Sequence, residues 1–219
     1  MSGNGYKTAK IPYIAQLEKL PVEQLRSMLQ YEGTTLPISC NNWADDYPYT
    51  PSVTAYMAYT DRYIALYFAV EECYVKAVEM ENNGRVWEDS CVEFFVANPV
   101  GEGYYNFELN AIGTLLAAFR TSRESAMHFS EEQLSKVIRY TSFDHAPIDI
   151  CEQSSWWAVE LIPFELLGLT IPPGGLRVNL YKCGDNLNQP HFLSWSPITL
   201  DKPNFHCPDF FGTLIFENE

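Results

Sequence analysis

From Ser52 onward the chain is a succession of short runs rich in tyrosine, phenylalanine, valine and alanine, punctuated by glycine, proline, asparagine and aspartate. Ser52–Tyr59 and Tyr63–Val70 flank Thr60-Asp61-Arg62, and Ser90–Ala97, Gly103–Asn110 and Thr114–Arg120 are separated by Asn98–Gly103 and Ala111–Gly113. Runs this short are poor helices, and their aromatic and β-branched residues suit a pleated surface, so they read as strands joined by hairpin turns. Lys136–Thr141, Ser155–Ile162, Leu176–Cys183 and Gly212–Glu217 continue the pattern. About ten strands with few helices predict an all-β fold, an antiparallel β-sandwich of jelly-roll type.

Helical signals are brief. Pro21–Gln30 opens on proline and places Val22, Leu25, Met28 and Leu29 on one side. Ser130 is a candidate N-cap, and Pro163–Gly168 reads as one helical turn stopped by glycine. At 219 residues with no linker-like run, the chain predicts one domain over 51–219, with residues 1–50 as an N-terminal extension packed on it.

The last quarter, Tyr181–Phe211, breaks the strand pattern. It holds His191-Phe-Leu-Ser-Trp-Ser-Pro197 and Phe205-His-Cys-Pro-Asp-Phe-Phe-Gly212, too rich in proline for a central strand or helix and too aromatic to lie in water. Such a segment must pack on a scaffold, and ordered loops of that kind commonly carry binding function.

The net charge of −14 argues against nucleic acid and anionic membranes as partners. No run approaches the ~20 apolar residues of a membrane span. The start, Met1–Lys10, lacks the apolar core of a secretory signal, so the chain reads as cytoplasmic, or as periplasmic or secreted if a signal has been trimmed. The cysteines, Cys40, Cys73, Cys91, Cys151, Cys183 and Cys207, form no CxxC pair and are expected as buried free thiols.

Strand alternation sorts the polar side chains. Tyr105, Phe107 and Leu109 share one face, and Tyr104, Asn106, Glu108 and Asn110 the other. Leu176, Val178 and Leu180 oppose Arg177, Asn179, Tyr181 and Cys183 in the same way. If these strands share a sheet, its outer face offers amides, carboxylates, an arginine and tyrosine rings. That mix suits a polyol, whose hydroxyls pair with Asn, Glu and Arg. It equally suits the solvated face of an antiparallel sheet. Glu93 lies among apolar neighbours with Cys91 and Phe95, so it needs either an arginine partner or a ligand.

Val86-Trp-Glu-Asp-Ser-Cys-Val-Glu-Phe-Phe-Val96, Tyr105–Gly113, Trp157-Ala-Val-Glu-Leu-Ile-Pro-Phe-Glu-Leu-Leu-Gly168 and Arg177–Asp185 with His191–Gly212 occur in the order of carbohydrate-binding module family 9. From about Ser52 to Phe216 the chain resembles that family, in particular a branch found in gut-type Bacteroidetes. The resemblance implies a β-sandwich that binds glycans without cleaving them, with two tryptophans clamping a terminal sugar. Trp87 matches the first tryptophan, Glu93 the carboxylate six residues on, and Trp195 is the candidate for the second. Asn110, Arg177, Asn179 and His191 complete the expected set of hydroxyl partners. His191 and Phe192 stand where the family has an asparagine, and the family arginine has no counterpart between Asn110 and Thr114. The implied ligand is a mono- or oligosaccharide such as a plant polysaccharide fragment. Structural calcium is frequent in the family, and Asp45, Asp46 and Asp89 are the acidic candidates for it.

Other functions remain open at this point. A glycosidase would draw its carboxylates from Glu93, Glu108 and Glu160. A haem-binding sandwich would use Met57, Met80, Met127 or His128. His191 and His206, with Cys207, could ligate zinc, although hydrogen bonding within the loop is the plainer role for them.

Overall fold

The computed structural model describes residues 5–151, 155–170 and 172–217. Its elements are, in order, β1 (Thr8–Ile11), α1 (Val22–Glu32), β2 (Thr34–Pro37), β3 (Cys40–Asn41), β4 (Ser52–Tyr59), β5 (Tyr63–Glu71), β6 (Val75–Ala77), β7 (Cys91–Ala97), β8 (Tyr104–Asn110), β9 (Leu115–Arg120), β10 (Ala126–His128), α2 (Glu131–Leu134), β11 (Ile138–Thr141), β12 (Ile148–Cys151), β13 (Ser155–Pro163), β14 (Gly175–Cys183), β15 (Phe192–Ser194) and β16 (Gly212–Phe216). Each strand expected from the sequence is present to within two residues. The hairpin between β4 and β5 is fixed by Thr60, whose hydroxyl accepts from the N–H groups of Arg62 and Tyr63. The turn after β13 ends at Gly168 with φ +71°, a left-handed position that glycine occupies without strain. Ser130 and Gln133 form a reciprocal capping box on α2.

Two large sheets make the sandwich. One runs β1-β16-β14-β7-β8-β9-β10, with β15 and β3 attached beside β14, and the other runs β11-β13-β5-β4-β2. Pairing is antiparallel except between β1 and β16, which are parallel. Their facing sides bury Val92, Phe94, Val96, Phe107, Leu109, Val178 and Leu180 against Ala55, Met57, Leu66, Phe68 and Ala158. Fully burying one such aliphatic or aromatic side chain contributes about 1.5–3 kcal/mol.

The N-terminal fifty residues do more than pack on the sandwich. β1 and β3 extend the first sheet and β2 extends the second. α1 lies outside the second sheet, where Leu25 and Leu29 bury against Ala58, Ala65, Tyr67, Val159 and Leu161.

The outer face of the first sheet departs most from expectation. β14, β7 and β8 are indeed neighbours, with the predicted facing, but their polar face is not solvated. Asn106, Asn110, Asn179 and Tyr181 are wholly buried there. One edge of β14 is shared by β16 and β15, and the chain between those strands folds over this face. Ile198, Phe205 and Phe211, with Trp43, seal against Phe95, Tyr104, Leu116 and Tyr181. Phe205 stacks on Tyr181 with centroids 4.0 Å apart. The aromatic C-terminal segment therefore packs as a lid of fixed structure, and the sheet beneath it forms a second core.

Candidate functional site

A cavity of about 240 Å³ opens where this lid fails to cover the sheet. Its floor comes from four adjacent strands: Cys183 from β14, Glu93 from β7, Glu108 from β8 and Arg120 from β9. Strand alternation alone sets this, because Glu93 and Glu108 are register partners and therefore point the same way. Trp87, in the helical turn Val86–Glu88, and Asp185 line it on the β14–β7 side. β15 supplies Phe192, the lid supplies Asn204, Phe205 and His206, and Arg123 comes from the turn after β9.

The polar groups are held in a chain. Asn106 donates to Glu108 Oε1 at 2.9 Å, and its own oxygen accepts from Arg120 Nε at 2.9 Å. The Cys183 thiol donates to Glu93 Oε1 at 3.0 Å. Tyr104 Oη and His206 Nδ1 are 2.9 Å apart.

Burial pushes the Glu93 carboxyl well above the usual carboxylate range, and the neighbouring Glu108 adds to the effect. Burial raises Glu108 to about 7, with the Arg120 charge and the Asn106 hydrogen bond opposing it. Asp185 is raised to about 6, by burial first and then by Glu88. His206 is lowered to about 3 by burial, then by Arg120 and Arg123. The floor thus sets two carboxyls whose burial favours the protonated form, Glu93 and Glu108, beside the Arg120 guanidinium. These are donors and acceptors side by side, the pattern a vicinal diol requires.

Of the seven residues expected to bind sugar, the structure brings Trp87 and Glu93 to this cavity, where Glu108 and His206, which the sequence offers for other chemistry, also lie. The other five are fasteners. Asn110 donates to Glu79 O and Asp89 Oδ2 and accepts from Thr114 N, closing the turn after β8. Arg177 donates to the carbonyls of Pro208 and Asp209. Asn179 pairs with both backbone groups of Ser196. Trp195 is 2% exposed in the inter-sheet core, with its ring so close to Gly212 that any side chain there would collide with it. His191 is buried beside Lys182, whose ammonium meets His191 Nε2 at 2.8 Å, Cys183 O at 2.8 Å and Glu72 Oε2 at 3.0 Å. Burial, then the Lys182 charge, lowers His191 to about 2, so it accepts from Lys182 at Nε2 and donates from Nδ1 to Gln189 O. Asn110, Asn179 and His191 are buried and hydrogen-bonded inside the protein, Arg177 is exposed and bonds backbone carbonyls between Pro208 and Phe211, and the second expected aromatic jaw is part of the core.

Arg120, Arg123, Asp185, Phe192, Asn204 and Phe205 are lining groups that the sequence does not single out as ligands, and Glu108 is one it offers only as a catalytic carboxylate. The facing of Glu108 was readable from alternation. Arg120 was not, because its place depends on β9 pairing beside β8, with Arg120 opposite Tyr104.

Asp45, Asp46 and Asp89 are not brought together. Both Asp89 oxygens accept from the Val78 N–H, and Oδ2 also from Glu79 N and Asn110 Nδ2, while Asp45 and Asp46 are exposed. Asp89 is therefore a structural clasp and does not fit a calcium ligand. Met57 is buried between the sheets, whereas Met127 and His128 lie exposed on the edge strand β10. His191 and His206 sit in separate environments, the first in the Lys182 cluster and the second at the cavity. The cysteines whose side chains are described, Cys40, Cys73, Cys91, Cys183 and Cys207, are free. Cys91 and Cys183 are buried, and Cys73 is exposed; the Cys151 side chain lies outside the described residues. Among the described residues, no helix is long and apolar enough to cross a membrane.

A two-sheet sandwich with an aromatic-walled polar cavity on one outer face defines a class of ligand-binding module. The sequence model for carbohydrate-binding family 9 matches residues 23–216, and the chain belongs to that family. A candidate carbohydrate-binding protein from Bacteroides uniformis is 40% identical, with a TM-score of 0.89 over 97% of this chain and 100% of its own. A family 9 module from Caldicellulosiruptor kristjanssonii in complex with cellotriose has the same fold at 8% identity, with a TM-score of 0.63 over 97% of this chain and 95% of its own. The structure of a family 9 module from the same organism with glucose gives 9% identity and a TM-score of 0.62, over 97% of each chain. No curated protein matches the chain.

Proposed function

We propose that the protein binds the end of a mono- or oligosaccharide in this cavity and does not cleave it. The observation that carries the reading is the convergence of Trp87, Glu93, Glu108 and Arg120 on one cavity in a chain of a carbohydrate-binding family. Trp87 is the ring for the apolar face of the sugar, with Phe192 of β15 replacing Trp195 as the second aromatic wall. The carboxyls, Arg120 and Asn204 take the hydroxyls. At about 240 Å³ the cavity falls below the ~300–1,000 Å³ of drug-sized sites, which favours one sugar ring over a chain laid lengthwise. Glu93 and Glu108 stand side by side on neighbouring strands of one floor. Glycoside hydrolysis instead needs carboxyl groups flanking the scissile bond, which supports binding without cleavage.

Titration calorimetry with glucose, cellotriose and a panel of reducing sugars tests the proposal. Trp87→Ala should weaken the bound sugar by ~1–3 kcal/mol with little change in melting temperature. Trp195→Ala should instead cost ~3–5 kcal/mol of stability, as for a buried tryptophan. Absence of heat with every sugar, or full affinity in Trp87→Ala, would reject the site.

A further inference from the structure

Beneath the cavity lies a group that the sugar reading does not use in full. Cys91 and Cys183 are register partners on β7 and β14, and Glu93 is two residues along β7 on the same face. The two sulfurs and a Glu93 oxygen all lie within 4.8 Å of one another, and each of the three residues is at most 2% exposed. Cys183 and Glu93 also line the cavity, and Cys91 does not.

We propose that Cys91, Cys183 and Glu93 form a binding site for a thiophilic divalent cation of the zinc or cadmium type. Two sulfurs and one carboxylate oxygen make three sides of a tetrahedron, the donor set that soft and borderline cations take and that calcium and magnesium do not. The separations allow one ion to reach all three with Zn–S of about 2.3 Å and Zn–O of about 2.0–2.2 Å. The fourth position faces the cavity, which is both the route of entry and the place where a water or a sugar hydroxyl would complete the shell. Binding displaces the two thiol protons, and any proton on Glu93, to solvent, leaving two thiolates and a carboxylate on the ion. That leaves one negative charge in excess, and the Lys182 ammonium is close enough to act electrostatically on both Cys91 and Glu93. Rigidity favours the site, because its ligands project from central strands of the sheet and need no loop to move. The inference extends beyond sugar binding and shares with it the cavity-lining Glu93 and Cys183.

The test uses the full chain, reduced with a phosphine and stripped of metal. Cadmium is titrated while the thiolate-to-metal ultraviolet band is followed, and metal retained after gel filtration is measured by mass spectrometry. The expected result is one equivalent bound, with a cadmium NMR position that reports two sulfur ligands in the unaltered protein. Cys91→Ser and Cys183→Ser should each weaken binding at least ~10-fold, since even the loss of a supporting contact around a metal costs that much. A Cys40→Ser, Cys73→Ser, Cys207→Ser triple variant should bind as the parent does. No band and no retained metal in the folded parent would overturn the proposal, as would binding that survives in Cys91→Ser and Cys183→Ser but is lost in the triple variant. Glucose titrated into the metal-free protein tests the sugar site separately, so either reading can fail while the other stands.

Discussion

Replacing Glu160 with glutamine should stabilise the protein at alkaline pH and leave it nearly unchanged near pH 4.5. Glu160 lies on the inner face of β13 with Trp156, Ala158 and Ile162, and it is wholly buried. Neither carboxyl oxygen has a hydrogen-bond partner among the described residues, and Arg139, its register partner on β11, offsets the burial only in part. Burial therefore raises the group from 4.5 to about 8. The sign follows from linkage: the folded state holds this proton more tightly than the unfolded chain does. The stability is fully present below 4.5 and is lost as pH rises through about 8. At about 1.4 kcal/mol per pH unit the window corresponds to a loss of up to ~5 kcal/mol. Glutamine keeps the volume and cannot ionise. Urea unfolding of both proteins from pH 4.5 to 8.5 gives a difference curve that removes the contributions of Glu93, Glu108 and Asp185, which are common to the two. The variant should be equal at the acid end and more stable by ~3–5 kcal/mol at the alkaline end. A difference that stays flat with pH, or a variant less stable throughout, would refute a neutral Glu160 and point to a charged pair with Arg139.

Substitutions at two further buried polar sites, the Lys182–Glu72 pair and the lid-fastening Asn179, test their worth. Lys182→Met leaves Glu72 buried without its cation and should cost ~3–5 kcal/mol in thermal or denaturant unfolding, whereas Glu72→Leu combined with Lys182→Met should recover most of that loss. Asn179→Ala removes the amide that pairs with both backbone groups of Ser196. It should cost ~1–3 kcal/mol and speed hydrogen exchange at residues 195–211 before any other part of the first sheet.

The long strands were legible because they alternate. The facing of β8 and β14 was read correctly for every residue, and that alternation put Glu93 and Glu108 on one side. β1, β2, β3, β6, β10, β12 and β15 were not read, because segments of two to four residues carry too little pattern and are set by the edge they join. The same limit explains the fate of the site residues. Alternation says that Asn179 and Tyr181 face outward from the sandwich, but it cannot say that another segment then covers them. Trp195 was singled out for its company in an aromatic, proline-rich loop. Its burial follows from β15 returning to the edge of β14 just before it, and from Gly212 making room for its ring. Trp87 and Glu93 are legible because both fall in the one segment, Val86–Val96, that carries the family resemblance, and because Glu93 stands among apolar strand neighbours.

The parallel pairing of β1 with β16 has a practical consequence for how the protein is cut. The family match begins at residue 23, so a chain trimmed to that boundary would lose β1 and still carry every residue of the cavity. It would also leave the outer row of β16 N–H and C=O groups bare, along a strand whose other side is held by β14. An uncovered, regular edge of that kind is a template for pairing with another molecule. The first strand is thus a guard against self-association, placed outside the stretch by which the family is recognised.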